Sequence, residues 1–196
     1  IVPGLPYTFS NEDEYLRTYR DAYLGLTHRK AGWDCFRHVE ILASGAVPLM
    51  PDSQEIPEYS MVHYPKLSMG RVVEAVRQTG GPPDSLTRHE FRRHFQRHLT
   101  TRAMVEYIIF ASGLDGMNRV LFVDAVLPRA ADYLSALTLI GLKQLLGSQC
   151  HVLHPVDYIY ADTSFDTHQL YGRGFGYSRV LSGELRSSTE LSHEAT

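Results

Sequence analysis

Residues 30–52 read KAGWDCFRHVEILASGAVPLMPD, and this stretch decides the fold. Residues 35–44 are predicted to form a helix. Gly45 ends that helix, because glycine tolerates the left-handed backbone conformation common at helix C-termini. The short apolar run 46–50 follows and is predicted to be a buried strand. The order of loop, helix, glycine and strand indicates an α/β unit.

Upstream of this unit, the sequence predicts one helix. Ser10 is expected to be its N-cap, with Asp13 three residues later in the spacing of a capping box. Apolar side chains then recur at helical spacing from Tyr15 to Leu26, so a helix of about 12 to 16 residues is expected. The polar residues 27–34 are predicted to form the loop that leads to the next helix.

Downstream, the sequence predicts three more helices and three more strands. The helices are expected over 68–78, over 86–111 with a bend near Thr100, and over 130–146 with a stop at Gly147; the strands are expected at 119–125, 151–153 and 156–160. The GGPP run at 80–83 is the clearest break in the chain. Of the strands, 46–50 and 119–123 are expected to be buried.

The loop and helix of the deciding stretch carry groups that suit a nucleotide-sugar donor. Phosphate oxygens are bound by backbone N–H groups at a helix N-terminus and by a nearby cation, and ribose hydroxyls are bound by a carboxylate. Here Gly32 lies in the loop that opens the helix, and Lys30 precedes it. Arg37 lies in the first turn, and Glu40 follows on the same face.

The pattern Arg37-x-x-Glu40-x-x-x-x-Gly45-x-x-Pro48 resembles the donor-site motif of exostosin-like glycosyltransferases, in the same register. The resemblance covers residues 9–66 and, less closely, 99–109. It implies a ribose contact for Glu40 and a pyrophosphate contact for Arg37. The full set of expected donor-binding residues is Lys30, Gly32, Asp34, Arg37, Glu40 and Pro48.

The resemblance also implies a fold class and a division of the chain. The expected fold is α/β, a Rossmann-like sandwich of the two-domain glycosyltransferase type. It is incomplete or permuted here, because the donor-like half comes first. Residues 1–113 are expected to form a donor-nucleotide-binding α/β domain, 114–181 a second Rossmann-like segment and 182–196 a mobile tail rich in serine, glutamate and threonine. The catalytic base of such enzymes comes from the acceptor domain, so no catalytic residue is assigned.

Several residues of the stretch also have a purely structural interpretation. An arginine and a glutamate three apart on a helix often form a surface ion pair. Asp34 fits an N-cap of the second helix better than a catalytic role. His38 is more typical of a helix histidine satisfied by hydrogen bonds than of a general base. Trp33 fits either the core or a platform that stacks on the base.

Composition limits the other classes of function. The chain has 196 residues and a net charge of −3, which argues against generic binding of nucleic acid. The basic run 88–102 is the local exception, interpreted as a solvated helix face or as a surface for an anionic partner. Cys35 and Cys150 lie outside any motif with metal-ligand spacing, so no metal site is expected.

The sequence therefore predicts a glycosyltransferase that uses a nucleotide-diphosphate sugar as donor and a glycan or other hydroxyl compound as acceptor. The alternative is a non-catalytic, glycosyltransferase-like binding or interaction module. The donor is the only small molecule expected, with no tightly bound cofactor. Flanking domains of a longer protein are possible partners. No membrane span or signal peptide is expected, and a cytoplasmic-like composition leaves the location open.

Overall fold

The computed structural model describes residues 8–81 and 84–193, with side chains up to Glu190. The chain is a mixed α/β protein with 51% helix and 8% strand. The strands form two parallel two-stranded sheets in the described residues. The chain divides into two compact units between Thr100 and Thr101. The α/β class is thus confirmed, with sheets much smaller than those of a full Rossmann sandwich.

The first unit contains four α-helices and one sheet in its described residues. They are α1 (Glu12–Arg20), β1 (Leu24–Leu26), α2 (Phe36–Ala43), β2 (Val47–Leu49), α3 (Lys66–Thr79) and α4 (Ser85–His98). Strands β1 and β2 pair in parallel, with Leu24 opposite Val47 and Leu26 opposite Leu49. Helix α2 is therefore the crossover between two parallel strands.

The predicted α/β unit is confirmed in this crossover. Helix α2 ends before Gly45, whose φ of +84° gives the left-handed turn that leads into β2. Val47 is fully buried in β2, as the apolar run predicted. Helix α2 also packs closely on β1, because a Cβ built on Gly25 would lie 2.6 Å from Cγ2 of Ile41. A larger residue at position 25 would push helix and strand apart.

The first predicted helix is shorter than expected, and its cap is different. Asn11 is the N-cap, and its side chain accepts a hydrogen bond from the backbone N–H of Glu14. Asp13 bonds to Arg17 at 2.9 Å rather than closing a capping box with Ser10. The helix ends at Arg20, and the apolar residues 24–26 form β1 instead. Their backbone groups pair with β2, and this pairing replaces the helical continuation.

The long helix predicted over 86–111 consists of two helices, because α4 ends at His98 and the next helix starts at Thr101. The expected bend near Thr100 is thus a break. Helix α3 agrees with its prediction and ends at Gly80, which has a φ of +68°. The core of the first unit lies between the sheet and helices α2, α3 and α4. It includes Leu42, Val47, Met50, Met69, Val72 and Phe91.

The second unit contains a further sheet and three α-helices in its described residues. They are α5 (Thr101–Ala111), β3 (Val120–Phe122), α6 (Tyr133–Leu146), β4 (Cys150–Val152) and α7 (Ser188–His193). Strands β3 and β4 are parallel. Helices α5 and α6 pack so closely that a Cβ on Gly141 would collide with the carbonyl of Thr101. This packing places α5 in the second unit rather than in the domain predicted for residues 1–113.

Two strand predictions in the second unit need correction. The strand at 119–123 exists as β3 but is not buried, since Leu121 is 56% and Val123 58% exposed. Side chains alternate along a strand, so only Val120 and Phe122 reach the core. The run 156–160 is not a strand but a 3₁₀ turn at Asp157–Ile159. Its four apolar residues are all buried, which gave it the pattern of a core strand, although Asp157 among them is exposed.

The C-terminal segment up to Glu190 is packed, which corrects the prediction of a mobile tail from residue 182. Glu190 is 3% exposed and forms an ion pair with the fully buried Lys143. Its other carboxylate oxygen accepts a 2.7 Å hydrogen bond from the hydroxyl of Tyr160. The polar composition of this segment thus serves buried hydrogen bonds rather than solvation.

Candidate functional site

The candidate site lies where β1 ends and α2 begins. In a parallel pair both strands end on the same side, and ligands of α/β proteins collect at that edge of the sheet. The loop from Thr27 to Cys35 joins β1 to α2. Cys35 is the N-cap of α2 and makes no side-chain hydrogen bond to the helix. The expected capping role of Asp34 is therefore wrong: Asp34 lies one residue too early and is exposed.

Arg37 is the least expected feature of the site. Its side chain is 8% exposed although it carries a full positive charge. Its Nη2 is buried and has no hydrogen-bond partner among the described residues. A buried polar group without a partner costs about 1–3 kcal/mol, and more when it is charged. Arg37 Nη2 is therefore a buried donor that remains able to form a hydrogen bond.

Glu40 lies in the same cluster, held from the side by α1. The hydroxyl of Tyr15 donates a 2.7 Å hydrogen bond to Oε2 of Glu40. The Tyr19 hydroxyl lies 3.4 Å from that of Tyr15, which extends the polar chain by one group. Burial raises the pKa of Glu40, while the Tyr15 hydroxyl and the charge of Arg37 oppose the shift. The carboxylate is thus held in position by Tyr15, and its pKa depends on burial, on Tyr15 and on Arg37.

No ion pair joins Arg37 to Glu40 in the described part of the chain. The surface ion pair that their spacing on the helix allowed is therefore not formed. Arg37 is also buried and Glu40 partly buried, whereas the residues of an ordinary surface ion pair are exposed. The charge of Arg37 nevertheless acts on Glu40 strongly enough to oppose the rise in its pKa. The two side chains therefore belong to one electrostatic cluster without neutralising each other directly.

His38 has the structural role that its sequence context predicted. It is fully buried, with Nδ1 2.9 Å from the Thr27 hydroxyl and Nε2 3.0 Å from the Trp33 carbonyl. A carbonyl only accepts, so Nε2 carries the proton and Nδ1 accepts from Thr27. Burial lowers the pKa of His38, although the Trp33 carbonyl opposes the shift. Both ring nitrogens are engaged, and they fasten α2 to Thr27 and Trp33 of the preceding loop.

The other predicted donor-binding residues are distributed around this cluster. Lys30 and Gly32 are exposed, and the Lys30 N–H donates to the Gly32 carbonyl at 3.2 Å, closing a turn. The charge of Lys30 also acts on Glu40. Pro48 is buried in the middle of β2 opposite Gly25, so it supports the sheet rather than lining the edge. The site is therefore built mainly from the loop and the first turns of α2.

Trp33 packs into the core, which is one of the two roles that the sequence left open. It is half-buried and packs against the core of the first unit. The guanidinium of Arg29 lies 5.0 Å from the centre of its ring, within the range of a cation–π contact. The indole thus contacts both the core of the first unit and a charged side chain of the loop.

Further polar groups near the end of β2 were not singled out by sequence reasoning. Asp52 Oδ1, Ser53 Oγ and the Tyr64 hydroxyl are buried and lack hydrogen-bond partners among the described residues. The ring of Tyr64 meets that of His38 edge-on, with centroids 6.2 Å apart. Burial raises the pKa of Tyr64, so its hydroxyl stays protonated. Asp52 ends the deciding stretch and Tyr15 showed only apolar patterning, whereas Tyr64 ends a segment that showed no regular pattern.

No protein-family model, curated protein or solved structure matches the chain. In residues 8–81 and 84–193, no helix is long and apolar enough to cross a membrane. In the same residues, no three histidine, cysteine, aspartate or glutamate side chains group together as metal ligands would. Both cysteines are free thiols.

Proposed function

We propose that the chain binds the nucleotide part of a nucleotide-diphosphate sugar and acts as a glycosyltransferase on a glycan or other hydroxyl acceptor. The observation that carries the proposal is the buried, unpartnered Nη2 of Arg37 beside the edge of a parallel sheet. Diphosphates are anions that arginine binds through its planar, forked guanidinium. A ligand of this class would satisfy the group that the described residues leave without a partner.

Glu40 would bind the ribose in this complex. A carboxylate accepts hydrogen bonds from two hydroxyls, which matches the 2′- and 3′-hydroxyls of a nucleotide. The Tyr15 hydroxyl holds Oε2 in place, so the carboxylate pays little conformational entropy on binding. Lys30 and Asp34 lie exposed on the approach, where Lys30 adds a second positive charge for the diphosphate.

The proposal assigns the chain to the two-domain glycosyltransferase architecture in an incomplete or permuted form. Parallel strand pairs joined through a helix are the units of Rossmann-like sheets. The β1–α2–β2 crossover is one such unit, and β3, α6 and β4 form a second in the same order. In this assignment, the crossover β1–α2–β2 supplies the donor site.

A non-catalytic binding module is the second candidate, and the hydrogen bonds of His38 favour it. His38 is the buried histidine of α2, and both of its ring nitrogens are engaged by Thr27 and Trp33. It is therefore held as a structural group rather than as a base. A module of this kind would bind the nucleotide but leave the sugar bond intact.

Calorimetry and a transfer assay separate these outcomes. The chain is titrated with UDP, GDP and ADP and with the matching nucleosides, and Arg37→Ala is titrated in parallel. The proposal predicts that one diphosphate binds and that Arg37→Ala weakens it more than the nucleoside. Turnover of the corresponding nucleotide sugar indicates a transferase, and binding without turnover indicates the module. If no nucleotide binds the wild-type chain, both candidates are wrong.

A further inference from the structure

A groove lies between the C-terminal end of α2 and one side of α4, within the first unit. Its volume is about 470 Å³, inside the range of about 300–1,000 Å³ that small-molecule sites occupy. Ala43 and Gly45 line it from the α2 side, and Arg88, His89 and Arg92 line it from α4. The groove is therefore concave, of ligand size and bordered by basic side chains.

Positive charge is concentrated on α4 although the chain as a whole carries −3. The helix holds four arginines and one glutamate, Glu90. Arg92 is exposed and makes no hydrogen bond or ion pair within the described residues. The sequence left the basic run 88–102 open between a solvated face and a surface for an anion. Part of this run, including Arg88 and Arg92, lines the groove.

Arg88 is held in place at the rim of this groove. Its Nε donates a 2.5 Å hydrogen bond to the carbonyl of Gly45, and its guanidinium lies 5.6 Å from the centre of the Tyr23 ring. Only one of its five N–H groups is used by this hydrogen bond. The guanidinium is therefore oriented in advance, which lowers the entropy lost when an anion binds to its remaining N–H groups.

The remaining lining suits a ligand that is more than a bare anion. Leu42 and Phe95 give the groove an apolar floor, and Ser44, Ser85 and Gln96 supply hydroxyl and amide groups. A small site with an apolar floor and a few polar groups holds an organic body and fixes its orientation. A long polyanion such as nucleic acid fits less well, because the net charge of the chain is negative.

We propose that this groove binds a small organic phosphate monoester, with the phosphate held by Arg88 and Arg92 and the organic body resting on Leu42 and Phe95. Arginine matches phosphate through two parallel N–H donors. The groove faces the last residue of α2, whereas Arg37 and the candidate donor site lie at its first turn. The inference therefore does not depend on the proposed transferase.

Backbone ¹⁵N–¹H NMR of the whole chain tests this inference, with phenyl phosphate as the probe. Inorganic phosphate and benzoate are the two comparison ligands. We expect saturable shifts of the Ser44, Gly45 and Ser85 amides, with phenyl phosphate binding more tightly than either comparison ligand. Equal affinity for phenyl phosphate and inorganic phosphate would show that the apolar floor makes no contact, and would overturn the organic part of the inference.

Arg92→Gln and Arg93→Gln form a matched pair of variants. Both remove one exposed positive charge from α4, but only Arg92 lines the groove. Arg92→Gln should weaken phenyl phosphate about 10- to 150-fold, as the loss of a charge-assisted hydrogen bond does, and Arg93→Gln should change it little. Equal weakening by both variants would show diffuse attraction to a basic helix and would overturn the site.

Ala43→Trp provides a second variant that keeps every charge. Ala43 is exposed at the groove, so a large ring there fills the space and should abolish the shifts. The same titration in Arg37→Ala must leave binding unchanged. If binding is instead lost in Arg37→Ala and kept in Arg92→Gln, the phosphate occupies the donor site, and this inference fails while the proposed function stands. Absence of saturable shifts overturns it outright.

Discussion

The Tyr15 hydroxyl donates a 2.7 Å hydrogen bond to Oε2 of Glu40 and so ties α1 to the helix that carries the donor motif. Burial, and then the charge of Glu40, raise the pKa of Tyr15, so the hydroxyl remains a donor at every physiological pH. The motif residue is thus positioned by a side chain 25 residues earlier in the sequence.

Glu40→Ala should weaken binding of a nucleoside diphosphate about 10- to 150-fold, because it removes a charge-assisted acceptor worth roughly 1.5–3 kcal/mol. Isothermal titration calorimetry measures the affinity. Glu58→Ala is the matched control, since Glu58 is exposed and follows the motif in the irregular segment after β2. An unchanged affinity in Glu40→Ala would mean that Glu40 does not contact the ribose.

Tyr15→Phe should make nucleotide binding more sensitive to acid. The Tyr15 hydroxyl lowers the pKa of Glu40 against the effect of burial, so its loss should raise that pKa further. Binding needs the carboxylate and is lost as pH falls through the pKa of Glu40. This loss should therefore begin at a higher pH in the variant than in the wild type.

Nucleotide affinity measured across about pH 4 to 8 tests this shift, because that range begins near the ordinary pKa of a glutamate carboxyl and extends above it. Tyr19→Phe is the control, because the Tyr19 hydroxyl contacts that of Tyr15 and makes no hydrogen bond to Glu40. Identical pH profiles for wild type and Tyr15→Phe would contradict a role for Tyr15 in setting the state of Glu40.

Arg37→Met should separate stability from binding. The wild-type guanidinium is buried with one nitrogen unpartnered among the described residues, which costs about 1–3 kcal/mol in the free protein. Methionine fills a similar space without a charge, so the free energy of unfolding should stay equal or rise. Diphosphate binding should fall at the same time. Urea unfolding and calorimetry on the same samples measure both effects, and a large loss of stability would show that Arg37 is a structural cation.

Glu190→Gln should destabilise the second unit strongly, because it leaves the ammonium of Lys143 buried opposite a neutral amide. Removing one partner of a buried pair typically costs about 3–5 kcal/mol. The pair Lys143→Met with Glu190→Gln should recover part of this loss. Urea unfolding of the three variants measures the effect, and a Glu190→Gln protein as stable as wild type would show that the pair contributes nothing.

The same pair predicts a dependence of stability on pH. Burial alone would raise the pKa of Glu190, but Lys143, Ser187 and Tyr160 hold it below its ordinary value of 4.5. A carboxyl with a lowered pKa contributes stability that is present above 4.5 and is lost as pH falls through its folded-state value. The wild-type free energy of unfolding should therefore fall below pH 4.5 more steeply than that of Glu190→Gln.

Local patterns in the sequence were sufficient to predict the helix–turn–strand unit of residues 35–50. Helix α2, the turn at Gly45 and the buried strand β2 all follow from spacing, glycine conformation and an apolar run within residues 35–50. The hydrogen-bonded role of His38 was also expected, because a helix histidine is more often satisfied by hydrogen bonds than used as a general base. These features depend on neighbours close in the chain, so the sequence carries their signal directly.

The rest was decided by contacts between distant residues. Residues 24–26 continue a helical apolar pattern, and only pairing with residues 47–49 makes them a strand. Likewise, the polar segment 182–190 is packed because Lys143 lies where Glu190 can reach it. Burial of Arg37 and the hold of Tyr15 on Glu40 arise in the same way, because the free energy of a side chain depends on partners that local spacing does not specify.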